Sequence, residues 1–218
     1  GSAGISITAI PITLQAQSKS WVYDGTDHTW QYYDIASGSF VGKQGIATAI
    51  FDAASHITNV GPSVANTITG VTLKGNTNAG NYNISFLPGT LSVTKAPAPS
   101  LTVTDTTALY DGRTHSVAIG TSGLPSGTEL YYNRTGGTDL TAYTLGEYAG
   151  VDVADSGLVY VAAVNPNYET AFGSALLTIT PRSITLTSDT ASKVYDAEPL
   201  TAPKVTLSGD GFASGEGF

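Results

Sequence analysis

The sequence predicts an all-β protein made of tandem β-sandwich modules of about 86 residues each. Three observations predict this fold class: segments in which apolar and polar residues alternate, turn-forming residues between those segments, and short motifs that recur at one spacing. An alternating segment can place one face on a core and the other in water, as a half-buried strand does. No segment has the three-and-four apolar spacing of a helix with plausible caps, so we expect little or no helix.

Alternation is clearest in three segments rich in Thr, Val, Ile and Leu, which suit a pleated surface. They are residues 91–94 (LSVT), 101–104 (LTVT) and 184–187 (ITLT). Turn signals such as Pro88-Gly89 and Ser156-Gly157 lie between such segments, and Gly can adopt the positive φ that many turns need. About seven short strands fit in one period, which is the pattern of an immunoglobulin-like sandwich.

Three motifs recur in phase along the chain. The first is Tyr23-Asp24-Gly25, Tyr110-Asp111-Gly112 and Tyr195-Asp196-Ala197, with the Tyr residues 87 and then 85 positions apart. The second is Ile5-Ser6-Ile7-Thr8, Leu91-Ser92-Val93-Thr94 and Leu177-Thr178-Ile179-Thr180, with both spacings equal to 86. The third is Asn81-Tyr82-Asn83 and Asn167-Tyr168-Glu169, again 86 residues apart. One shared period indicates tandem repeats.

The motifs also set the expected domain boundaries, because Pro11, Pro97 and Pro181 follow the copies of the second motif and Pro ends strand pairing. We expect the last strand of a preceding repeat, or an expression remnant, at 1–10, repeat 1 at 11–96, repeat 2 at 97–181 and an incomplete third repeat at 182–218.

The two end segments of this division are too short to bury a core alone. We therefore expect residues 184–187 and 204–207 to form strands that are held in one of two ways. They pack on repeat 2, or they pair with the N-terminal strand of another copy, which would be strand-mediated self-association through open edges.

Composition excludes several classes of function. Only nine residues are Lys or Arg and the net charge is −8, whereas nucleic acid and anionic lipid require clustered positive charge. The chain has no Cys, which excludes disulfides and zinc–thiolate sites. It has no run of about 18 apolar residues and no N-terminal export signal, so we expect no membrane insertion of this fragment and a signal and anchor outside it.

Catalytic chemistry finds no support in the sequence. Of the three His residues, His28 and His115 occupy matching positions in different repeats, so they would not converge on one metal or acid–base site. No Ser lies in a nucleophile elbow of the G-x-S-x-G type. We predict that the protein is not an enzyme and needs no cofactor.

Calcium is a weak alternative that rests on acidic loops. Asp152 with Asp155 is one candidate pair, and Asp210 with Glu216 is another. Neither pair has the dense acidic spacing of a strong calcium loop. We therefore predict no metal site.

An aromatic cluster is the candidate binding surface. It comprises Trp21, Trp30, Tyr32 and Tyr33, and exposed aromatic faces stack well on sugar rings or on a protein partner. The alternative interpretation is packing in the core or between domains. Trp21 is replaced by Ala108 and Lys193 in the other copies, which favours a surface position for Trp21.

The recurrent Tyr-Asp-Gly motif has a structural interpretation and a functional one. In the structural interpretation the Asp hydrogen-bonds the backbone of a turn, the Gly supplies the dihedral angle and the Tyr anchors the turn. The functional interpretation is a ligand contact repeated in every module. We expect the structural role for the residues of this motif: Tyr23, Asp24, Gly25, Tyr110, Asp111, Gly112, Tyr195 and Asp196.

Repeat 1 resembles the YDG and MBG repeats of large bacterial surface proteins, on its Tyr23-Asp24-Gly25-Thr26, Asn81-Tyr82-Asn83-Ile84 and Gly89-to-Pro97 segments. Repeat 2 is similar to a sister module through Tyr110-Asp111-Gly112, Pro166-Asn167-Tyr168-Glu169 and Gly173-Ser174-Ala175. The third copy departs from the pattern with Ala197 in place of Gly. The resemblance implies an extracellular, adhesin-like cell-surface protein without catalytic residues.

Two functions from different classes remain. In the first, the modules are a stalk or spacer whose partners are the neighbouring repeats of the same chain. In the second, they bind a host glycan, mucin or host protein directly. The sequence favours the stalk, because the recurring residues are determinants of turns and strands.

Overall fold

The computed structural model describes residues 4–218, and its regular structure consists almost entirely of β-strands. Within this range there is no α-helix, and the 3-10 turns are three residues long, at Ala79–Asn81, Leu140–Ala142 and Val153–Asp155. The predicted all-β class with little helix is confirmed. Residues 1–3 of the segment predicted at 1–10 lie outside the described residues. Over the described range, no helix is long and apolar enough to cross a membrane.

The described residues form two compact units. The first contains the residues up to Pro97 together with Pro166–Glu169, and the second contains Ala98–Asn165 and Thr170–Phe218. The residues predicted as an incomplete third repeat, 182–218, thus belong to the second unit by their contacts. The division into repeats at 11–96, 97–181 and 182–218 stays a prediction.

The first unit contains eight strands, which form three sheets. The strands are β1 (Ile10–Ala16), β2 (Lys19–Val22), β3 (Tyr33–Ser37), β4 (Ile46–Phe51), β5 (Val64–Asn66), β6 (Ile68–Leu73), β7 (Tyr82–Leu87) and β8 (Gly89–Thr94). The sheet orders are β3-β1-β7, β2-β8-β5 and β4-β6. β1 pairs parallel with β7, and β2 pairs parallel with β8.

The core of the first unit follows the alternation in the sequence. On β1, Ile12, Leu14 and Ala16 are buried and the residues between them are not. They pack with Ile68 of β6 and Tyr82 of β7, so the sheet of β1 and the sheet of β4 and β6 face each other across a core. A second cluster forms under β8 and is described with the candidate site below.

The second unit contains nine strands. They are β9 (Thr102–Thr104), β10 (Thr106–Leu109), β11 (Ala118–Gly120), β12 (Glu129–Asn133), β13 (Thr144–Leu145), β14 (Gly157–Val164), β15 (Ala171–Thr180), β16 (Ile184–Ser188) and β17 (Val205–Gly209). The sheet orders are β10-β15-β14-β12-β13, β11-β9 and β16-β17.

Two of these sheets enclose the core of the second unit. Val159 and Val161 of β14 and Leu177 and Ile179 of β15 are buried. On the opposite side, partly buried residues of β9 and β11 pack against them. The protein therefore has an immunoglobulin-like β-sandwich fold, as the sequence predicts.

The strands expected at 184–187 and 204–207 form an antiparallel hairpin of β16 and β17. Every residue of both strands is exposed. The segment is attached to the rest of its unit outside the hairpin, where the Tyr110 hydroxyl donates to Glu216 Oε1 at 2.6 Å and Arg182 Nη1 donates to the Tyr110 carbonyl at 3.2 Å. These hydrogen bonds to Tyr110 hold the ends of the segment, while the strands themselves stay exposed.

Gly89 marks a close approach of two backbones at the start of β8. A Cβ at this position would lie 2.4 Å from the carbonyl oxygen of Gln17 and 2.5 Å from that of Ala16. Because main-chain atoms cannot move aside as a flexible side chain does, we expect Gly89→Ala to lower the free energy of unfolding by about 1–3 kcal/mol. Chemical denaturation of Gly89→Ala, and of the control variant described next, measures this change.

The matched control is Gly61→Ala, because a Cβ at Gly61 meets nothing within 4 Å and φ there is not positive. We expect Gly61→Ala to stay within about 0.5 kcal/mol of the parent protein. Equal unfolding free energies for the two variants would show that the approach of Ala16 and Gln17 to β8 does not constrain the fold.

Candidate functional site at the Tyr-Asp-Gly turns

In each unit, the strand that precedes the Tyr-Asp-Gly motif pairs in parallel with the strand that contains the second motif. In the first unit, β2 pairs with β8, and Val22 lies opposite Thr94. In the second unit, β10 pairs with β15, and Leu109 lies opposite Thr180. Both pairs are parallel and have the same register, although the sequence shows only that the motifs are in phase.

The same hydrogen bonds end this ladder in both units. The Tyr23 N–H donates to the Thr94 carbonyl at 2.9 Å, and the Thr94 hydroxyl donates to the Trp21 carbonyl at 3.2 Å. In the second unit, the Tyr110 N–H donates to the Thr180 carbonyl at 2.9 Å, and the Thr180 hydroxyl donates to the Ala108 carbonyl at 3.2 Å. The Tyr of each motif is thus fixed through its main chain to the last strand.

The Asp of each motif closes a turn. Asp24 Oδ1 accepts from the Thr26 N–H at 2.9 Å, Asp111 Oδ1 accepts from the Arg113 N–H at 2.9 Å, and Asp196 Oδ1 accepts from the Glu198 N–H at 3.1 Å. The residue after each Asp has positive φ, which is 79° at Gly25, 75° at Gly112 and 65° at Ala197. An Ala is strained in this region, whereas a Gly is not.

A His four residues after the Asp completes the turn in both units. His28 Nε2 lies 3.0 Å from Asp24 Oδ1, and His115 Nε2 lies 2.9 Å from Asp111 Oδ1. The main chains of these two His residues also form matching bridges, to Ile57 and to Gly150. Each His therefore joins the turn to a distant loop of its unit. Our sequence reasoning matched the two His positions but missed their Asp partners, although the Asp-x-x-x-His spacing occurs in both repeats.

Hydrogen bonds hold the pKa of the turn carboxylates below the usual range. For Asp24, the Thr26 hydroxyl and then the Thr26 N–H lower the pKa most, with smaller contributions from His28. For Asp111, the Arg113 N–H has the largest effect, followed by His115. All of these interactions stabilise the charged carboxylate.

The four predicted aromatic residues divide between two clusters. Trp21, for which the sequence favours a surface position, is half-buried. Its ring stacks on His28 at 4.7 Å and packs on the cluster of Leu91 and Val93. Tyr33 packs instead against the core around β1.

Tyr32 is the exposed member of the predicted cluster, and it contacts Trp30, which is half-buried and packs with Trp21 against the cluster of Leu91 and Val93. The ring centroids of Trp30 and Tyr32 lie 4.4 Å apart, and Tyr32 is 57% exposed. Lys19 Nζ lies over the Trp30 ring, 4.8 Å from its centroid, so this aromatic pair, whose rings are tilted by 38°, carries a positive charge on one face. An aromatic pair of this kind can bind a flat apolar face, such as that of a sugar ring.

The acidic pairs considered for calcium are engaged in local hydrogen bonds. Asp155 Oδ2 accepts from the Val151 N–H at 2.8 Å and from the Asp152 N–H at 2.9 Å, which stabilises a turn. Asp210 Oδ2 accepts from the Ser183 N–H at 2.7 Å. Between residues 4 and 218, no group of three or more His, Cys, Asp or Glu residues is placed to hold a metal ion.

Comparison with known proteins assigns no family to this chain. No family model and no curated protein matches the chain. The chain is similar to extracellular domains 3–5 of Drosophila OTK, at 11% identity over 87% of this chain and 72% of that one, with a TM-score of 0.29. It is similar to DIP-gamma IG1+IG2 at 9% identity over 80% and 96% of the two chains, with a TM-score of 0.27. Scores this low carry no argument about function.

The Asp side chains of the turns should contribute to stability. We expect Asp24→Ala and Asp111→Ala each to lower the melting temperature, because a turn N–H and a His lose their acceptor. Thermal unfolding followed by circular dichroism measures the effect. The matched control is Glu147→Ala, which removes the same charge from an exposed carboxylate. A melting temperature unchanged in both Asp variants would contradict the structural role of the turns.

Acid should weaken the same turns. The pKa of Asp111 is below its usual value of 3.8 in the folded protein, so its contribution to stability is present above that value and is lost as pH falls through the lower, folded-state pKa. We expect the melting temperature to fall below about pH 4, and to fall less steeply in Asp111→Asn. Identical pH profiles for the variant and the parent protein would refute this origin of the acid sensitivity.

Proposed function

We propose that this chain is a run of non-catalytic spacer modules from the stalk of a bacterial cell-surface, adhesin-like protein. The observation that supports the proposal most is the use of the recurring residues. In both units, the Tyr, Asp, His and Thr of the motifs bond to atoms of their own unit, with the same partners and almost the same distances.

A binding role would require the motif residues to face a ligand and not to bond within their own unit. A ligand site repeated in each module would keep donors, acceptors or aromatic faces free for the ligand. The Asp Oδ1 and His Nε2 atoms bond to each other instead, and the motif Thr bonds to the main chain of the neighbouring strand. Such contacts select for a stable, repeatable module, which is the property that a spacer requires.

The resemblance to MBG and YDG repeats supports an extracellular location at the cell surface, and the composition agrees with it. The absence of Cys and Met removes the commonest sites of oxidation. The net charge of −8 favours solubility and weakens non-specific attraction to nucleic acid.

Direct binding of a host glycan, mucin or host protein is the second candidate function. One observation favours it: the contact of Trp30 with Tyr32, in which Tyr32 is largely exposed and Lys19 lies over the Trp30 ring. This aromatic pair has no counterpart among the recurring motifs, so it would serve as a site on one module only.

Binding to a glycan array and to immobilised mucin separates the two functions. We expect the full chain to bind neither at protein concentrations up to about 100 μM, well above the dissociation constants of specific complexes. The variant Tyr32→Ala, with Tyr131→Ala as the matched control on the second unit, should behave like the parent. Binding that is lost in Tyr32→Ala but kept in Tyr131→Ala would replace the spacer role with the second candidate.

A further inference from the structure

The parallel ladder of each unit is fastened at both ends by matching hydrogen bonds. At its start, the side chain of the residue before the first strand accepts an N–H from the last strand. Ser18 Oγ accepts from Thr90 at 2.9 Å in the first unit, and Asp105 Oδ1 accepts from Leu176 at 2.8 Å in the second. At its end, the hydroxyl of the motif Thr donates back to the first strand, as described above. Both units thus close the same short ladder in the same way.

The last strand of each ladder is held on both sides, whereas the first strand lies at the edge of its sheet. In the first unit, β8 lies between β2 and β5, and in the second unit β15 lies between β10 and β14. Leu91 and Leu177 of the last strands are fully buried, so the inner side of each ladder is shielded from water. The ladder is therefore the seam at which the first strand must part from the rest of its sheet.

Tension along the chain acts on the two strands of the ladder in opposite directions. It pulls the first strand from its N-terminal end and the last strand from its C-terminal end. In a parallel pair these two ends lie at opposite ends of the ladder, so the strands must slide past each other and all the hydrogen bonds between them are strained at once. In an antiparallel pair the two ends lie side by side, and the bonds open one after another.

We propose that the parallel ladder is a mechanical clamp, which keeps each unit folded when the chain is under tension. In the first unit, tension reaches β2 through β1, which is itself parallel to β7 over residues 10–15, so both parallel ladders oppose the same displacement. In the second unit the clamp is the ladder of β10 and β15. A spacer under tension has a use for such a clamp, but the inference depends on the strand pairing and not on the spacer function.

Constant-force spectroscopy of the full chain, held by handles at its two ends, tests the clamp. Loss of one ladder should appear as a step of about 250 Å, because roughly 70 residues lie between its strands. The test variant is the double change Thr94→Val and Thr180→Val, which removes one hydroxyl from each ladder and keeps the side-chain shape. We expect these steps to become about fivefold faster at a given tension, because one hydrogen bond is lost from the structure that must break.

The matched control is the double change Thr69→Val and Thr141→Val, with one substitution in each unit. The Thr69 hydroxyl donates to the Ile50 carbonyl at 3.2 Å, and the Thr141 hydroxyl donates to Asp139 Oδ1 at 2.7 Å. Each substitution therefore removes a hydroxyl bond that lies outside the parallel ladders, and we expect the rate of the steps under tension to stay unchanged. Equal acceleration in the two double variants, or acceleration in neither, would overturn the clamp.

Unfolding without tension separates a clamp from a general gain in stability. Unfolding kinetics in denaturant give the rate for the same variants at zero force. The clamp predicts that the ladder variant exceeds the control by a larger factor under tension than in denaturant. A second double variant, Ser18→Ala with Asp105→Ala, removes the bonds at the opposite end of each ladder and should be accelerated by tension in the same way. The same factor in both conditions would show that these bonds only stabilise the unit, which overturns the clamp.

Discussion

The parallel ladder between the strand before each Tyr-Asp-Gly turn and the last strand of the same repeat is the interaction on which the structure depends. The residues that it joins are far apart in the chain, 73 positions for Trp21 and Thr94 and 72 positions for Ala108 and Thr180. The ladder positions Leu91 and Val93 in one unit and Leu177 and Ile179 in the other over their cores. Because such contacts are non-local, each sandwich can form only after its last strand is available.

The ladder makes the Tyr-Asp-Gly turn necessary. Once the Tyr main chain is fixed to the last strand, the chain must reverse within a few residues. The Asp, the residue with positive φ and the His make that reversal and connect it to a loop at Ile57 or Gly150. The third copy keeps the Asp and the positive φ but has Leu200 in place of the His. Its Asp196 is paired instead with Lys193 at 2.7 Å.

The sequence was sufficient to predict the strands in which apolar and polar residues alternate, and to predict the common spacing of the motifs. It identified the strands β8, β9, β16 and β17, because their patterns have the period of a half-buried strand, but it did not predict that β16 and β17 pair with each other as a hairpin. It could not show that the strand before the Tyr-Asp-Gly turn pairs with the strand of the second motif, since a repeat period gives the spacing of segments and not their pairing. It also could not show that the ring of Trp21 stacks on His28, which lies on the far side of the turn.

Asn66 is a structural residue that the sequence concealed. Its buried amide donates to the carbonyls of Gln17 and Trp30, both at 2.8 Å, and so joins the chain on either side of the turn. Asn66 follows Val64 and Ala65 at the end of β5, and no sequence pattern separates its role from that of a surface loop residue. Its side-chain N–H groups are satisfied, whereas its buried Oδ1 has no hydrogen-bond partner among the described residues.

Amide hydrogen exchange tests the central claim most directly. The account predicts slow exchange at the N–H groups of Tyr23 and Tyr110, which bond to the last strand, and fast exchange at the N–H of Tyr195, which bonds to no strand among residues 4–218. Fast exchange at Tyr23 and Tyr110, at the rate found for Tyr195, would contradict the claim that the parallel ladder closes each module.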